Sequence, residues 1–287
     1  MSEAIKRQRT AFFVSDGTGI TAETLGHSLL TQFEDEIEFN QRSLRFVDDL
    51  ERAEWACEEI NQIADLDEFP PLVFSTSVNP QIRDTLRSAN CVFFDIFETF
   101  ITRLGQELNA TPTLKSGQAY GMADLESYFN RMDAVNFTLN HDDGSAISHL
   151  DQADIILIGI SRTGKTPTCI YLSLHYSIRG ANFPLTEDDL EDLRLPDILQ
   201  THRHKLFGLT IDPERLQQIR HERLPNSRYA SPAQCAFEVR QSEAMYRKLN
   251  IPYLSTSMKS VEEIAATIIE EAGLERNPPP PIGPSYR

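Results

Sequence analysis

Short runs of consecutive apolar residues recur along the chain, and each is followed by a polar or glycine-bearing turn. After most turns the apolar residues fall three or four apart. Thr10-Ala11-Phe12-Phe13-Val14-Ser15 is the first run and ends in Asp16-Gly17-Thr18-Gly19. Behind it Leu25, Leu29 and Phe33 repeat at i, i+4, i+8, which predicts a helix with these three on one face. Further strands are predicted around residues 44–47, 72–75 and 91–95. Helices are predicted over about 50–64 and from Asn79-Pro80 onward, where proline suits the first turn.

Residues 109–122 hold Pro112, Gly117 and Gly121 with little periodicity and read as a linker or long loop. A helix over about 124–140 follows and is closed by His141-Asp142-Asp143-Gly144. Asp154-Ile155-Ile156-Leu157-Ile158 is nearly all apolar, as expected of a central strand covered on both faces. A helix over 168–178 and a short strand over 182–185 come next. Thr186-Glu187-Asp188-Asp189 reads as a helix start. Leu206-Phe207-Gly208-Leu209-Thr210-Ile211 predicts a strand that ends at Asp212-Pro213. Helices over 213–222 and 232–249, a strand over 253–256 and a helix over 261–272 stopped by Gly273 complete the pattern.

Strands alternating with helices imply parallel sheets. The expected fold is α/β: an N-terminal Rossmann-like βα lobe plus a C-terminal P-loop-containing α/β lobe, both with mainly parallel sheets. The expected boundaries are 1–110 for the first lobe with its glycine-rich turn at 16–19, 111–123 for the linker, 124–276 for the second lobe and 277–287 for a proline-rich flexible tail.

Composition narrows the function. With 27 Lys and Arg against 43 Asp and Glu, the chain carries −16. That excess of negative charge argues against nucleic acid and anionic membranes as partners, because both recruit a basic face. No apolar run approaches the roughly 20 residues that span a bilayer. The four cysteines lie far apart without metal-binding spacing. They read as reduced, mostly buried thiols of a cytoplasmic protein.

Gly159-Ile160-Ser161-Arg162-Thr163-Gly164-Lys165-Thr166 matches G-x-x-x-x-G-K-[ST] at every position, between a buried strand and a helix. The two glycines let backbone amides wrap phosphate oxygens, and Lys165 supplies a cation. The Thr166 hydroxyl can ligate Mg²⁺, and the helix that follows turns its positive end to the anion. Arg162 is either a second cation or a solvent-facing side chain. As a surface turn, the loop is expected to tolerate Lys165→Ala without loss of the fold. Asp212, at a strand end, is a second candidate metal ligand, or else caps the helix behind it.

The turn at Ser15-Asp16-Gly17-Thr18-Gly19-Ile20-Thr21 repeats the strand, glycine, helix logic and is a second candidate anion site. Otherwise it is a tight turn with Thr21 as helix cap. Asp16, His141 and Asp142 are candidate catalytic groups alongside Lys165, and the residue pattern leaves their order open. Arg215, Arg220, His221, Arg223 and Arg228 form a basic stretch in an acidic chain, either a phosphate clamp or a solvated face. His202-Arg203-His204-Lys205 reads as a surface loop.

Four segments together resemble the bacterial pyruvate, phosphate/water dikinase regulatory proteins over about residues 9–275. They are Val14 to Thr24, His141-Asp142-Asp143-Gly144, Gly159 to Pro167, and Lys205 to Leu216. The resemblance implies a bifunctional enzyme. One activity is an ADP-dependent serine/threonine kinase that phosphorylates a threonine of phosphoenolpyruvate synthase and releases AMP. The other is a phosphorylase that removes that phosphate with inorganic phosphate and releases diphosphate. It implies ADP at the 159–166 loop, with Mg²⁺ as companion ion, and phosphoenolpyruvate synthase as protein partner. A homo-oligomer is a separate expectation. Two other readings of the loop remain, an ATP-dependent small-molecule kinase and a non-catalytic nucleotide sensor.

Overall fold

Four consecutive buried residues, Ala11, Phe12, Phe13 and Val14, make a strand that two layers of helices must cover. A computed structural model of the chain describes residues 6–114, 125–144 and 149–274. The chain divides into two compact units, residues 1–121 and 122–287.

In the first unit the order is β1 (Arg7–Val14), α1 (Ile20–Leu30), β2 (Ile37–Leu44), α2 (Leu50–Leu66), β3 (Leu72–Ser75), α3 (Pro80–Arg87), β4 (Val92–Asp95) and α4 (Ile96–Leu108). The strands form one all-parallel sheet in the order β2-β1-β3-β4. Phe12 and Val14 join the apolar layer beneath α2 and α3, while Ala11 and Phe13 join the layer beneath α1. Alternation along one strand therefore feeds both faces.

Three expectations need correction here. The second strand lies at Ile37–Leu44, mostly earlier than residues 44–47. It is an edge strand, polar and largely exposed, and so lacks the apolar run that marked the others. Residues 45–47 carry no regular secondary structure, and Phe46 is left-handed at φ 58°. Helix α1 buries Ala22, Gly26 and Leu30, one position round from the expected face, while Leu29 and Phe33 are exposed. The reason is the approach to the sheet: a Cβ on Gly26 would stand 2.3 Å from the Phe13 ring. Large side chains on that face would hold the helix off. Helix α4 was not expected. Asp95 caps it by accepting from the Glu98 amide (2.8 Å). Its Phe100, Leu104 and Leu108 are exposed.

The second unit contains α5 (Leu125–Asn140), β5 (Ile155–Gly159), α6 (Lys165–Tyr176), β6 (Gly180–Pro184), α7 (Glu187–Glu191), β7 (Leu206–Thr210), α8 (Pro213–Arg223), α9 (Pro232–Leu249), β8 (Tyr253–Ser255) and α10 (Val261–Glu271). Its sheet is again all parallel, in the order β6-β5-β7-β8. All five residues of β5 are buried. Ile156 and Ile158 pack with α9, and Ile155 and Leu157 with α6 and α10. At about 1.5–3 kcal/mol for each fully buried aliphatic side chain, β5 is a principal source of the unit's stability. Thr186 and Asp189 close a reciprocal capping box on α7, as the sequence suggested.

Each unit thus has its first strand central, its second on one side and its third on the other. The glycine-rich turns after β1 and β5 both stand where the strand order reverses, at the carboxyl edge where parallel α/β sheets leave a crevice. Residues 115–123 of the expected linker and the expected tail 277–287 lie outside the described residues. Among the described residues, no helix is long and apolar enough to cross a membrane. All four cysteines are free; Cys57, Cys169 and Cys235 are buried, and Cys91 is partly so.

Candidate phosphate-binding site

The turn from β5 into α6 brings the expected phosphate-loop residues together. Gly159 is the last residue of β5, and a Cβ there would lie 2.7 Å from the Leu209 carbonyl oxygen. Any larger residue would push β5 away from β7. Gly164 takes φ 88° and serves as the cap of α6, a conformation that side chains resist. Arg162 also lies in the left-handed region, at φ 77°. Its strain must be offset by contacts from the surrounding structure.

Lys165 is not a surface residue: it is only 4% exposed. Its Nζ donates to the Ile160 carbonyl (3.0 Å), and Thr163 Oγ1 donates to the same oxygen (3.0 Å). Burial pushes the ammonium down to about 8, against the opposing pull of the Asp143 and Asp142 carboxylates. A cation so desolvated gains strongly from an anion placed beside it.

The other flank of the loop is acidic. Thr166 Oγ1 donates to Asp142 Oδ1 at 2.8 Å. The Asn182 side-chain amide, at the middle of β6, donates to Asp142 (2.6 Å) and approaches Asp143 (3.2 Å) and Thr166 Oγ1 (2.9 Å). Asn182 is 2% exposed, and its Oδ1 has no hydrogen-bond partner among the described residues. The sequence reading did not find Asn182. A lone asparagine in an edge strand carries no motif, and only the parallel pairing of β5 with β6 brings it to the loop.

His141 directly follows α5, with its ring stacked on Phe137 (3.9 Å between centroids) and Nδ1 bonded to the Phe137 carbonyl (2.8 Å). A carbonyl only accepts, so Nδ1 carries the proton. Its own carbonyl accepts from the Asn182 backbone amide (3.0 Å), which ties the His141-Asp142-Asp143 turn to β6.

Asp212 follows β7. Its Oδ1 accepts from the Glu214 and Arg215 amides (2.9 and 3.1 Å), capping α8, and it lines a cavity of about 720 Å³ with Arg215, Glu243 and Ser257. The hydroxyl of Thr166 meets Asp142 instead. Among the described residues no group of three His, Cys, Asp or Glu side chains gathers as a metal cage. Magnesium in phosphoryl-transfer sites commonly needs only one or two carboxylates beside the substrate's phosphates.

Asp16 belongs to the first unit, where its Oδ2 accepts from the Val78 amide at 3.3 Å. The cap of α1 is Gly19, at φ 83°, rather than Thr21. Glu23 in the first turn is paired with Arg45 at 2.9 Å. Of the basic stretch, Arg220 is fully buried, whereas Arg215, His221, Arg223 and Arg228 are exposed.

Comparison with known proteins gives a consistent result. The family model described as kinase/pyrophosphorylase matches residues 11–269. A protein of Pseudomonas savastanoi pv. phaseolicola named "Putative phosphoenolpyruvate synthase regulatory protein" is 52% identical over 269 residues, covering 94% of this chain and 98% of that protein. Proteins of the same name from Pseudomonas putida (strain W619) and Pseudomonas aeruginosa (strain LESB58) are each 51% identical, covering 94% and 95% of this chain and 98% and 99% of theirs.

Proposed function

This chain belongs to the kinase/pyrophosphorylase family, and from that premise we propose that it reversibly phosphorylates a threonine of phosphoenolpyruvate synthase. In the forward direction the threonine Oγ attacks the β-phosphorus of ADP, the bond from that phosphorus to the bridging oxygen breaks, AMP leaves, and the threonine hydroxyl proton passes to solvent. In the reverse direction an oxygen of inorganic phosphate attacks the phosphothreonine phosphorus. The phosphorus–Oγ bond breaks, diphosphate forms, and threonine recovers its proton.

The observation that carries this reading is the loop itself: two glycines, a buried Lys165 and a Thr166 hydroxyl at the start of one helix. Its amides and the end of α6 suit the diphosphate of ADP. Lys165 neutralises charge on the transferring group. The Asp142 carboxylate and the Thr166 hydroxyl, 2.8 Å apart and both held by the Asn182 amide nitrogen, are oxygen donors of the kind that fit a magnesium ion. Such an ion would supply charge neutralisation at the phosphate oxygens. In this reading Asp142 rather than Asp212 serves the metal, and Asp212 serves α8.

The test uses ADP labelled at the β-phosphate and purified phosphoenolpyruvate synthase. Label is expected on a target threonine, and adding unlabelled phosphate afterwards is expected to release it as diphosphate. Transfer only from ATP, or only to a metabolite, would instead identify a small-molecule kinase. ADP binding without transfer would identify a sensor.

A further inference from the structure

Arg220 is the largest fully buried side chain of the described residues, and the proposed chemistry assigns it no part. One Nη donates to the Ser161 carbonyl (3.0 Å) and to Glu238 Oε2 (2.6 Å), and the other donates to the Tyr229 carbonyl (3.2 Å). Its guanidinium lies over the Tyr229 ring, 4.1 Å from the centroid. The Tyr229 hydroxyl in turn meets Ser161 Oγ at 2.9 Å. Gln234 holds the second oxygen of Glu238 (3.0 Å), so the carboxylate is fixed from both sides.

We infer that Arg220, with Tyr229, is a positioning residue that sets the peptide plane between Ser161 and Arg162 so that the Arg162 amide is presented to a bound diphosphate. The peptide group is planar and trans, so its carbonyl and its N–H point in opposite directions. Arg220 draws the Ser161 carbonyl toward α8, and the Arg162 N–H is thereby turned away from α8. The same plane leads into the left-handed Arg162, and the buried pair provides the external contact that holds that conformation. The preceding carbonyl is held by Lys165 and Thr163. Together these contacts fix two successive loop carbonyls before any ligand arrives, and preorganised donors cost no reorientation on binding. A lysine in place of Arg220 would keep the charge but not the planar fork that reaches two carbonyls and a carboxylate.

The inference rests on the nucleotide reading, so its test includes the wild-type chain. Calorimetry with Mg²⁺ and ADP, and separately with diphosphate, is paired with the melting temperature of the ligand-free protein. Arg220→Lys is expected to weaken both ligands at least about tenfold in the folded protein, the range of a lost charge-assisted contact. Tyr229→Phe keeps the ring and loses the Ser161 contact; it is expected to weaken both about two- to fivefold with the melting temperature unchanged. In the amide spectrum the Arg162 resonance is expected to shift on adding diphosphate to the wild type and not to Arg220→Lys. A folded Arg220→Lys protein with wild-type affinities would overturn the inference, whatever its melting temperature. Should that variant not fold, wild-type affinities in Tyr229→Phe overturn it. Absence of heat from the wild type itself removes the nucleotide reading, and this inference with it.

Discussion

Lys165 carries its charge into a place almost without water, and two consequences have opposite signs. Its folded pKa of about 8 lies below the value of about 10.4 for an unfolded lysine. Between those values the unfolded chain holds a proton that the folded chain has lost, so raising the pH through that window favours the folded state. The expected gain is on the order of 3 kcal/mol over the whole window, of which roughly 2 kcal/mol falls between pH 7.5 and 9.5. Denaturant melts at pH 7.5 and 9.5, compared with Lys165→Met, check it, since the variant should lose that part of the slope. Nucleotide affinity should go the other way, because only the ammonium form attracts phosphate: ADP should bind more weakly above pH 8. Lys165→Ala should reduce phosphoryl transfer by roughly 10²-fold or more without lowering the melting temperature, since it removes a charge that folding had to desolvate. Asp142→Asn and Asp212→Ala separate the two carboxylates. The first should raise the Mg²⁺ concentration needed for half-maximal transfer. The second should cost about 1 kcal/mol of stability as a lost helix cap, with transfer unchanged. An effect of Asp212→Ala on the Mg²⁺ requirement would return Asp212 to the metal. Asp16→Asn is expected to impair transfer more than stability; a change in melting temperature alone would make its turn merely structural.

Helix α1 shows how an element can be read correctly and turned wrongly. Leu25, Leu29 and Phe33 keep helical spacing, and the helix is there, but the sheet meets Ala22, Gly26 and Leu30. Close packing on Phe13 selected the small residues. Gly26→Ala tests this: alanine favours helices by about 1 kcal/mol, but a Cβ 2.3 Å from a buried ring should cost about 1–3 kcal/mol through overpacking. Net destabilisation is expected in urea unfolding, and stabilisation would mean that α1 does not approach the sheet so closely. Helix α4 was legible but passed over: Asp95 with Glu98 three residues on, then Phe97, Phe100, Ile101, Leu104 and Leu108 at helical spacing. Strand β2 was not legible, because a polar edge strand with one neighbour needs no apolar run.

At the scale of the whole chain, both units repeat one winding, with a glycine-rich turn behind the central strand of each. Among the described residues, the groups that shape the phosphate loop come from the second unit, including Asp142, Asn182, Arg220 and Glu238. The fragment 122–287 is therefore expected to fold and to bind Mg²⁺ and ADP with the affinity of the full chain, measurable by calorimetry. A folded fragment that binds no ADP would overturn this expectation.

The phosphate loop was legible because its chemistry is local: glycines, lysine and threonine at fixed spacing act through their own backbone and the helix they begin. Parallel α/β winding was legible for a similar reason, since buried strands and their crossovers leave a periodic trace. Folding alone decided which distant side chains complete the loop. Asn182 reaches it through strand pairing, and Arg220, one of five residues in the basic stretch, becomes the buried one because α8 packs over Ser161. Such contacts join residues dozens of positions apart, and no local pattern records them.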